Sequence, residues 1–152
     1  MAPAPPSVSR DCPFCPRLVT FRNDLRIAEP DWHNAPVPSF GAFDARLLIV
    51  GLAPGMHGAN RTGRPFTGDW AGDLLYATLL KFGLAKGEYK EDPKDGLILI
   101  DTRITNAVRC LPPENKPVGA EINACGKFLT QEIAAMPQLK AILALGTVAH
   151  GA

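Results

Sequence analysis

The sequence predicts an α/β fold, an open parallel sheet with helices wound on both sides. Two apolar runs of strand length, Leu47-Leu48-Ile49-Val50 and Ala141-Ile142-Leu143-Ala144-Leu145, lack the alternation of a half-exposed strand and fit buried parallel strands. Segments with helically spaced apolar residues lie between them. A glycine-rich stretch, residues 51–72, follows the first run and leads into a helix. Open α/β sheets place their ligands at that point, beyond the carboxyl ends of the strands.

Residues 1–10 are proline-rich and predict an extended, disordered tail. Asp11 is a fair N-cap for a helix running to about Ala28, with Leu18, Val19, Phe21, Leu25 and Ile27 as core positions. Prolines and Gly41 make 29–45 a loop, which Trp32, Phe40 and Phe43 pin down. The first strand spans 46–50. After the glycine-rich loop a helix runs from about Gly68 to Phe82 and stops at Gly83. Residues 84–96 are polar and predict an exposed connection. A short extended piece at 97–100 and a core strand at 104–108 come next, then a rigid proline loop. A helix over 119–135 turns Ile122, Phe128, Leu129 and Ile133 inward. A third strand at 141–145 leads into a helix at the end of the sequence. Strand, helix, strand, helix, strand and part of a helix make an incomplete doubly wound sheet, so a C-terminally incomplete domain is expected over residues 11–152.

Composition bounds the function. The 152 residues suffice for one domain. With 46% hydrophobic and 20% charged residues the chain is of ordinary globular composition. No apolar run reaches the roughly 18 residues of a membrane span, and the first residues lack a secretory leader's basic and apolar regions. A cytoplasmic protein without a membrane partner is expected. The net charge of +1 announces no nucleic-acid binder, although a neutral sum can hide a basic face.

The four cysteines are Cys12, Cys15, Cys110 and Cys125. Without a secretory leader a disulfide framework is not expected. Cys12-x2-Cys15 sits at a helix entry, Cys110 ends a strand and Cys125 lies in the next helix. Four thiolates so contributed can hold a tetrahedral zinc or a [4Fe–4S] cluster. Only one pair has the short spacing of a zinc knuckle. The wide gap between Cys110 and Cys125 favours the cluster, with four unrelated buried thiols as the alternative.

The loop Gly51–Gly72 lacks the lysine of a phosphate-binding P-loop and the G-x-G-x-x-G of a dinucleotide fold. It offers a glycine backbone that a flat ligand can approach, an aromatic ring (Phe66), a carboxylate (Asp69), an amide (Asn60) and two cations (Arg61, Arg64). Asn106, at the end of the neighbouring strand, offers a donor and an acceptor on one side chain. These parts can hold one extruded base by stacking, edge hydrogen bonds and phosphate contacts. Each also has a plainer use. Asp69 can cap the next helix, Phe66 can be core, Asn106 can close a turn, His57 can be a bonded loop residue, and the arginines can be surface charges.

The run Gly51-Leu52-Ala53-Pro54-Gly55, with His57-Gly58, Asn60-Arg61-Thr62-Gly63 and Phe66-Thr67-Gly68-Asp69, resembles the first motif of the family 5 (type b) uracil-DNA glycosylases. Cys12-Pro13-x-Cys15-x-Arg17-Leu18-Val19 and Thr105-Asn106-x-Val108-Arg109-Cys110-x-Pro112-Pro113 resemble two further segments of that family. The resemblance covers nearly the whole chain. It implies a three-layer α/β/α sandwich with a central parallel sheet, a [4Fe–4S] cluster on the four cysteines, and hydrolysis of the N-glycosidic bond of a deaminated base in DNA. It further implies that Phe66 stacks on the flipped base and Asn106 reads its edge. Gly51, Ala53, Gly55, His57 and Asn60 line the pocket, and Arg61 and Arg64 meet phosphates. Ala53, where related enzymes carry a carboxylate or Asn, is similar to family 5 rather than family 4. With that group absent, the resemblance implies either that Asp69 positions the water or that the reaction relies more on stabilising the leaving base.

The family also has a His-Pro-Ser-x-x-Asn motif after a fourth strand, and the sequence ends before it. The last strand and helix of the fold are thus expected to be missing. The expected partner is DNA containing uracil or another deaminated base, bound by a monomer. The alternative is an inactive or non-enzymatic iron–sulfur or zinc module that binds nucleic acid.

Overall fold

A computed structural model describes residues 7–152. Its centre is a parallel three-stranded sheet in the order β4-β1-β5, formed by β1 (Leu47–Gly51), β4 (Thr102–Asn106) and β5 (Ala141–Ala144). In register, Gly51 stands beside Asn106 and Val50 beside Ala144. The sheet separates two apolar clusters. On one face α3 (Trp70–Lys81) contributes Tyr76 and Leu79, which pack with Ile49 and Ile104. On the other, α4 (Gly119–Ala134) and α5 (Thr147–Gly151) contribute Leu129 and Ala149 to a cluster with Leu48 and Val50. This is the expected sandwich. Alternate residues of one strand feed opposite clusters because the side-chain period of a strand is two.

The expected tail lies mostly on residues 1–6, outside the described residues. Val8, however, lines the cavity between the cysteines, and Cys12 N–H bonds Ser9 C=O at 3.0 Å, so the ordered chain begins before Asp11. The first helix, α1 (Pro16–Ala28), is capped at Cys15 and not at Asp11. Pro16 at its first position needs no donor there and presets φ. Asp11 pairs with Arg26 at 2.7 Å instead. The buried stripe of α1 is Leu18, Arg22 and Leu25; Ile27 falls on the opposite side and is exposed.

Strand limits move by one or two residues from those expected, and the core strand 104–108 becomes Thr102–Asn106. The connection 84–96 is the larger correction. It contains β2 (Ala85–Lys86), antiparallel to β3 (Ile98–Leu99), and it carries a buried carboxylate, Asp95. On α4 the buried residues are Glu121, Cys125, Leu129 and Glu132, while Ile122, Phe128 and Ile133 are only half-buried. The two carboxylates can go inside because arginines meet them: Arg17 on Glu121, and Arg103 and Arg109 on Glu132.

The segment 34–40 shields the outer edge of β4. Phe40 exchanges backbone hydrogen bonds with Ile104, and Val37 N–H bonds Arg109 C=O at 2.8 Å. No helix of the described residues is long and apolar enough to cross a membrane.

Candidate active site

A cavity of about 540 Å³ opens beyond the carboxyl ends of β1 and β4. Volumes of a few hundred Å³ suit a small organic ligand. Gly51, the last residue of β1, forms its floor. A side chain there would begin 2.3 Å from the Phe66 ring and 2.6 Å from Asn106 Oδ1. No real side chain tolerates such distances, so glycine is what allows ring and amide to converge. Parallel register puts Asn106 beside Gly51, and Ala107 N–H bonds Gly51 C=O at 2.9 Å. The backbone of Asn106 is held from behind, its C=O accepting from Arg109 Nε at 3.3 Å. Arg109 is itself anchored on Glu132.

Phe66 adopts φ +58°, the left-handed region that a non-glycine residue rarely enters. Such strain persists where the surroundings over-determine it. Tyr76 Oη donates to Pro65 C=O at 2.6 Å, and Tyr89 Oη to Phe66 C=O at 3.4 Å. Burial raises the Tyr76 phenol far above its ordinary range and pushes Tyr89 up to about 12, so both remain protonated donors. Gly72 must be glycine for the same reason as Gly51: a side chain there would begin 1.8 Å from the Phe66 carbonyl oxygen.

Asp69 is the N-cap of α3, its Oδ1 accepting from Gly72 N–H at 2.7 Å. Its second oxygen faces the glycine loop, 3.7–3.8 Å from where side chains on Gly55 and Gly58 would begin. Capping thus occupies one oxygen and leaves the other at the loop. Ala53 joins Gly51, Phe66 and Asn106 in lining the cavity.

The remaining expected residues lie elsewhere. The Asn60 amide is buried and donates to Asn34 Oδ1 at 3.0 Å, stapling the loop to the segment after α1. A short helix, α2 (Ala59–Thr62), which the glycines concealed, holds it there. His57 is exposed, edge-on to Trp32 at 5.2 Å. Arg61 is exposed, and its Nε donates to His57 C=O at 2.8 Å. Arg64 corrects an expectation. It is 4% exposed and grips Asp95 through two hydrogen bonds of 2.9 and 2.7 Å, so it does not reach a phosphate. The sequence reading missed the apolar wall formed by Leu52, Trp70, Ala71, Leu74, Leu75, Thr78 and Leu145. Its signal was Trp70, Leu74 and Thr78 at four-residue spacing, one face of a helix readily taken for core.

All four cysteines are free thiols lining one small cavity between α1, the turn after β4 and α4. Among the described residues no cluster of three or more His, Cys, Asp or Glu is set to grip a metal ion. The enclosed space, about 20 Å³, is that of one water-sized sphere. Donor chemistry therefore carries the fit. Burial raises the thiols of Cys15 and Cys125 and pushes Cys110 up to about 12. Arg22 lines the same cavity, buried, with no ion pair among the described residues and no partner for Nε. It approaches Cys110 Sγ at 3.9 Å, and Arg109 N–H approaches Cys125 Sγ at 3.4 Å. A buried cation with donors aimed at sulfur suits anionic thiolates, and an anionic thiolate-bound centre would supply its missing countercharge.

The fold opens a cavity at the strand ends where a ring and an amide converge, and sequence comparison gives the class. The pattern of the Uracil DNA glycosylase superfamily matches residues 38–152, and the chain belongs to that superfamily. The chain is 44% identical over 144 residues to the type-5 uracil-DNA glycosylase of Thermus thermophilus, covering 91% of this chain and 65% of that protein. It is 46% identical over 143 residues to that of Mycobacterium leprae, covering 89% and 62%. A type-4 uracil-DNA glycosylase of Pyrobaculum aerophilum is 36% identical over 113 residues, covering 74% and 50%. Identity and coverage both favour type 5 over type 4 in these pairs. The chain thus spans less than two thirds of the length of these relatives.

Proposed function

We propose that this chain carries the base pocket of a DNA glycosylase that hydrolyses the N-glycosidic bond of uracil, or of another deaminated base, in DNA. The observation that carries this reading is the convergence of the Phe66 ring and the Asn106 amide over a side-chain-free Gly51. A flat ring can stack there while an amide reads its edge.

Extrusion of the base from the duplex brings it against Phe66. The bond between sugar C1′ and base nitrogen breaks with its electron pair leaving on the base, water oxygen bonds to C1′, and the proton that water sheds ends on the departed base. The sugar becomes cationic on the way. The Asn106 side-chain N–H donates to the base as negative charge grows there. Asp69, anchored by its capping oxygen, presents the other one to the sugar cation and the incoming water. Ala53 offers no carboxylate, which leaves Asp69 as the acidic group for this role. Arg61 is the cation available for a phosphate. The mouth of the cavity is apolar and suits a base whose water has been stripped away.

Cys12, Cys15, Cys110 and Cys125 would hold a [4Fe–4S] cluster as a structural tie of α1 to the turn after β4 and to α4. Arg22 and the Arg109 N–H steady its thiolates. The protein acts as a monomer in the cytoplasm, where thiols stay reduced. The test is incubation of the full-length protein with a uracil-containing oligonucleotide followed by alkaline cleavage at abasic sites. Strand breaks at uracil are expected; binding without breaks would overturn the reading.

A further inference from the structure

The polar groups around Phe66 are more elaborate than packing requires. Tyr76 is fully buried and Tyr89 half-buried, and their rings stack at 4.6 Å and 21°. A core could use phenylalanine at both places. Instead the two hydroxyls go to the carbonyls of Pro65 and Phe66, the peptide groups that set the strained turn. Arg64, two residues before Phe66, sits among the rings of Phe40, Tyr76 and Tyr89 at 5.1, 5.3 and 5.6 Å. Its partner Asp95 also accepts from the backbone N–H of Lys90 and Leu97, both at 2.9 Å, which ties down the turn next to Tyr89. A buried ion pair is a poor source of stability compared with apolar packing, and its best-attested use is to specify one arrangement.

We propose that Tyr76, Tyr89, Arg64 and Asp95 form a positioning frame for Phe66, fixing the height of its ring over Gly51 and hence the plane in which a base stacks beside Asn106. The frame rests on the reading of the cavity as a base pocket. It gives the polar connection 84–96 a task at the site, although none of its residues lines the cavity. None of the four touches the reacting atoms.

A double-mutant cycle tests it. Tyr89→Phe removes only the hydroxyl on the Phe66 carbonyl and keeps the stack on Tyr76. Tyr89→Phe, Phe66→Ala and the double variant of the full-length protein are compared by single-turnover cleavage of a uracil oligonucleotide and by melting temperature. The frame predicts a loss of about fivefold for Tyr89→Phe, the scale of one hydrogen bond. It also predicts that the loss vanishes once Phe66 is already alanine. A residue that merely stabilises the fold would lower the rate equally in both backgrounds, and that result overturns the proposal.

A second readout needs no activity. The Phe66 ring lies on Gly51, so its ring current marks the Gly51 amide resonance. Tyr89→Phe should shift that resonance while leaving the amide of Leu48, on the opposite face of the same strand, in place. If the wild type does not cleave uracil DNA, the functional reading falls and the Gly51 resonance alone decides the frame. An unmoved Gly51 resonance refutes the frame even in an active enzyme.

Discussion

At residue 51 the absence of a side chain is what lets the Phe66 ring and the Asn106 amide meet. Gly51→Ala places a methyl group where the Phe66 ring and the Asn106 oxygen already are. One of them must move. Overpacking of this kind costs about 1–3 kcal/mol, and displacement of a stacking or reading group by about 1 Å can cost about 100-fold in rate. Melting and single-turnover cleavage together check this, with a larger relative loss in cleavage expected. Asp69 allows a cleaner separation. Asn caps a helix about as well as Asp, so Asp69→Asn should leave the melting temperature near wild type while cleavage falls about 100-fold or more. A DNA-binding assay should show little change. Asp69→Ala adds a capping loss of about 1 kcal/mol, and an equal loss of cleavage and of DNA binding in Asp69→Asn would remove the carboxylate from the chemistry. Both a capping and a catalytic use of Asp69 were legible in the sequence; that capping engages one oxygen and leaves the other facing the glycine loop was not, because capping geometry is a three-dimensional fact.

Among the elements, the link between the glycine loop and the 84–96 connection is the least expected. Its residues are polar and sparse in apolar spacing, so nothing in their pattern announces burial. The Asp95 side chain is nevertheless fully buried because Arg64 neutralises it. Hydrogen bonding to Arg64 holds the Asp95 carboxyl far below the usual carboxylate range, against the opposing effect of burial. A lowered folded value means that this pair's stability is fully present above the unfolded pKa of about 4 and is lost as pH falls toward the folded value. Denaturant unfolding from pH 7 to pH 2.5 should therefore show a steep acid limb. Asp95→Asn should flatten that limb and, by stranding a buried cation, destabilise the protein by about 3–5 kcal/mol at pH 7. Unchanged acid sensitivity in the variant would show that other carboxylates, such as Glu121 with its Arg17 partner, dominate. The same failure of apolar pattern explains α4, where Glu121 and Glu132 occupy places that periodicity gave to Ile122 and Ile133. By contrast β1, β5 and the span of α4 were legible almost to the residue, since uniform apolar runs of strand length and regular helical spacing leave few alternatives.

At the scale of the molecule, the sheet gathers two sites at its ends and flanks. Only three residues separate Asn106 in the pocket from Cys110 at the cysteine cavity. Arg109 spans the interval, its guanidinium on the Asn106 carbonyl and its amide near Cys125. Disturbing the cysteine site should therefore disturb the pocket. Full-length protein purified without oxygen should carry about four irons per chain and a broad visible absorbance. Cys110→Ser should lower iron content, melting temperature and cleavage together. Zinc in place of iron, without visible absorbance, would rule out the cluster. That the four cysteines share one cavity and that Phe66 and Asn106 meet at Gly51 agrees with their grouping in the sequence. The apolar wall on α3 was not legible, since exposure and burial of a Trp-Leu-Thr stripe look alike in sequence.

The two margins of the sheet differ. The segment 34–40 closes the margin at β4, but β5 has a neighbour on one side only among the described residues, with Ile142 and Leu143 about half exposed. An open ladder with apolar side chains is a template for another strand. Concentrated solutions of this stretch of chain should scatter light increasingly with concentration, and a lysine in place of Ile142 should suppress it. Solubility thus turns on what occupies that margin.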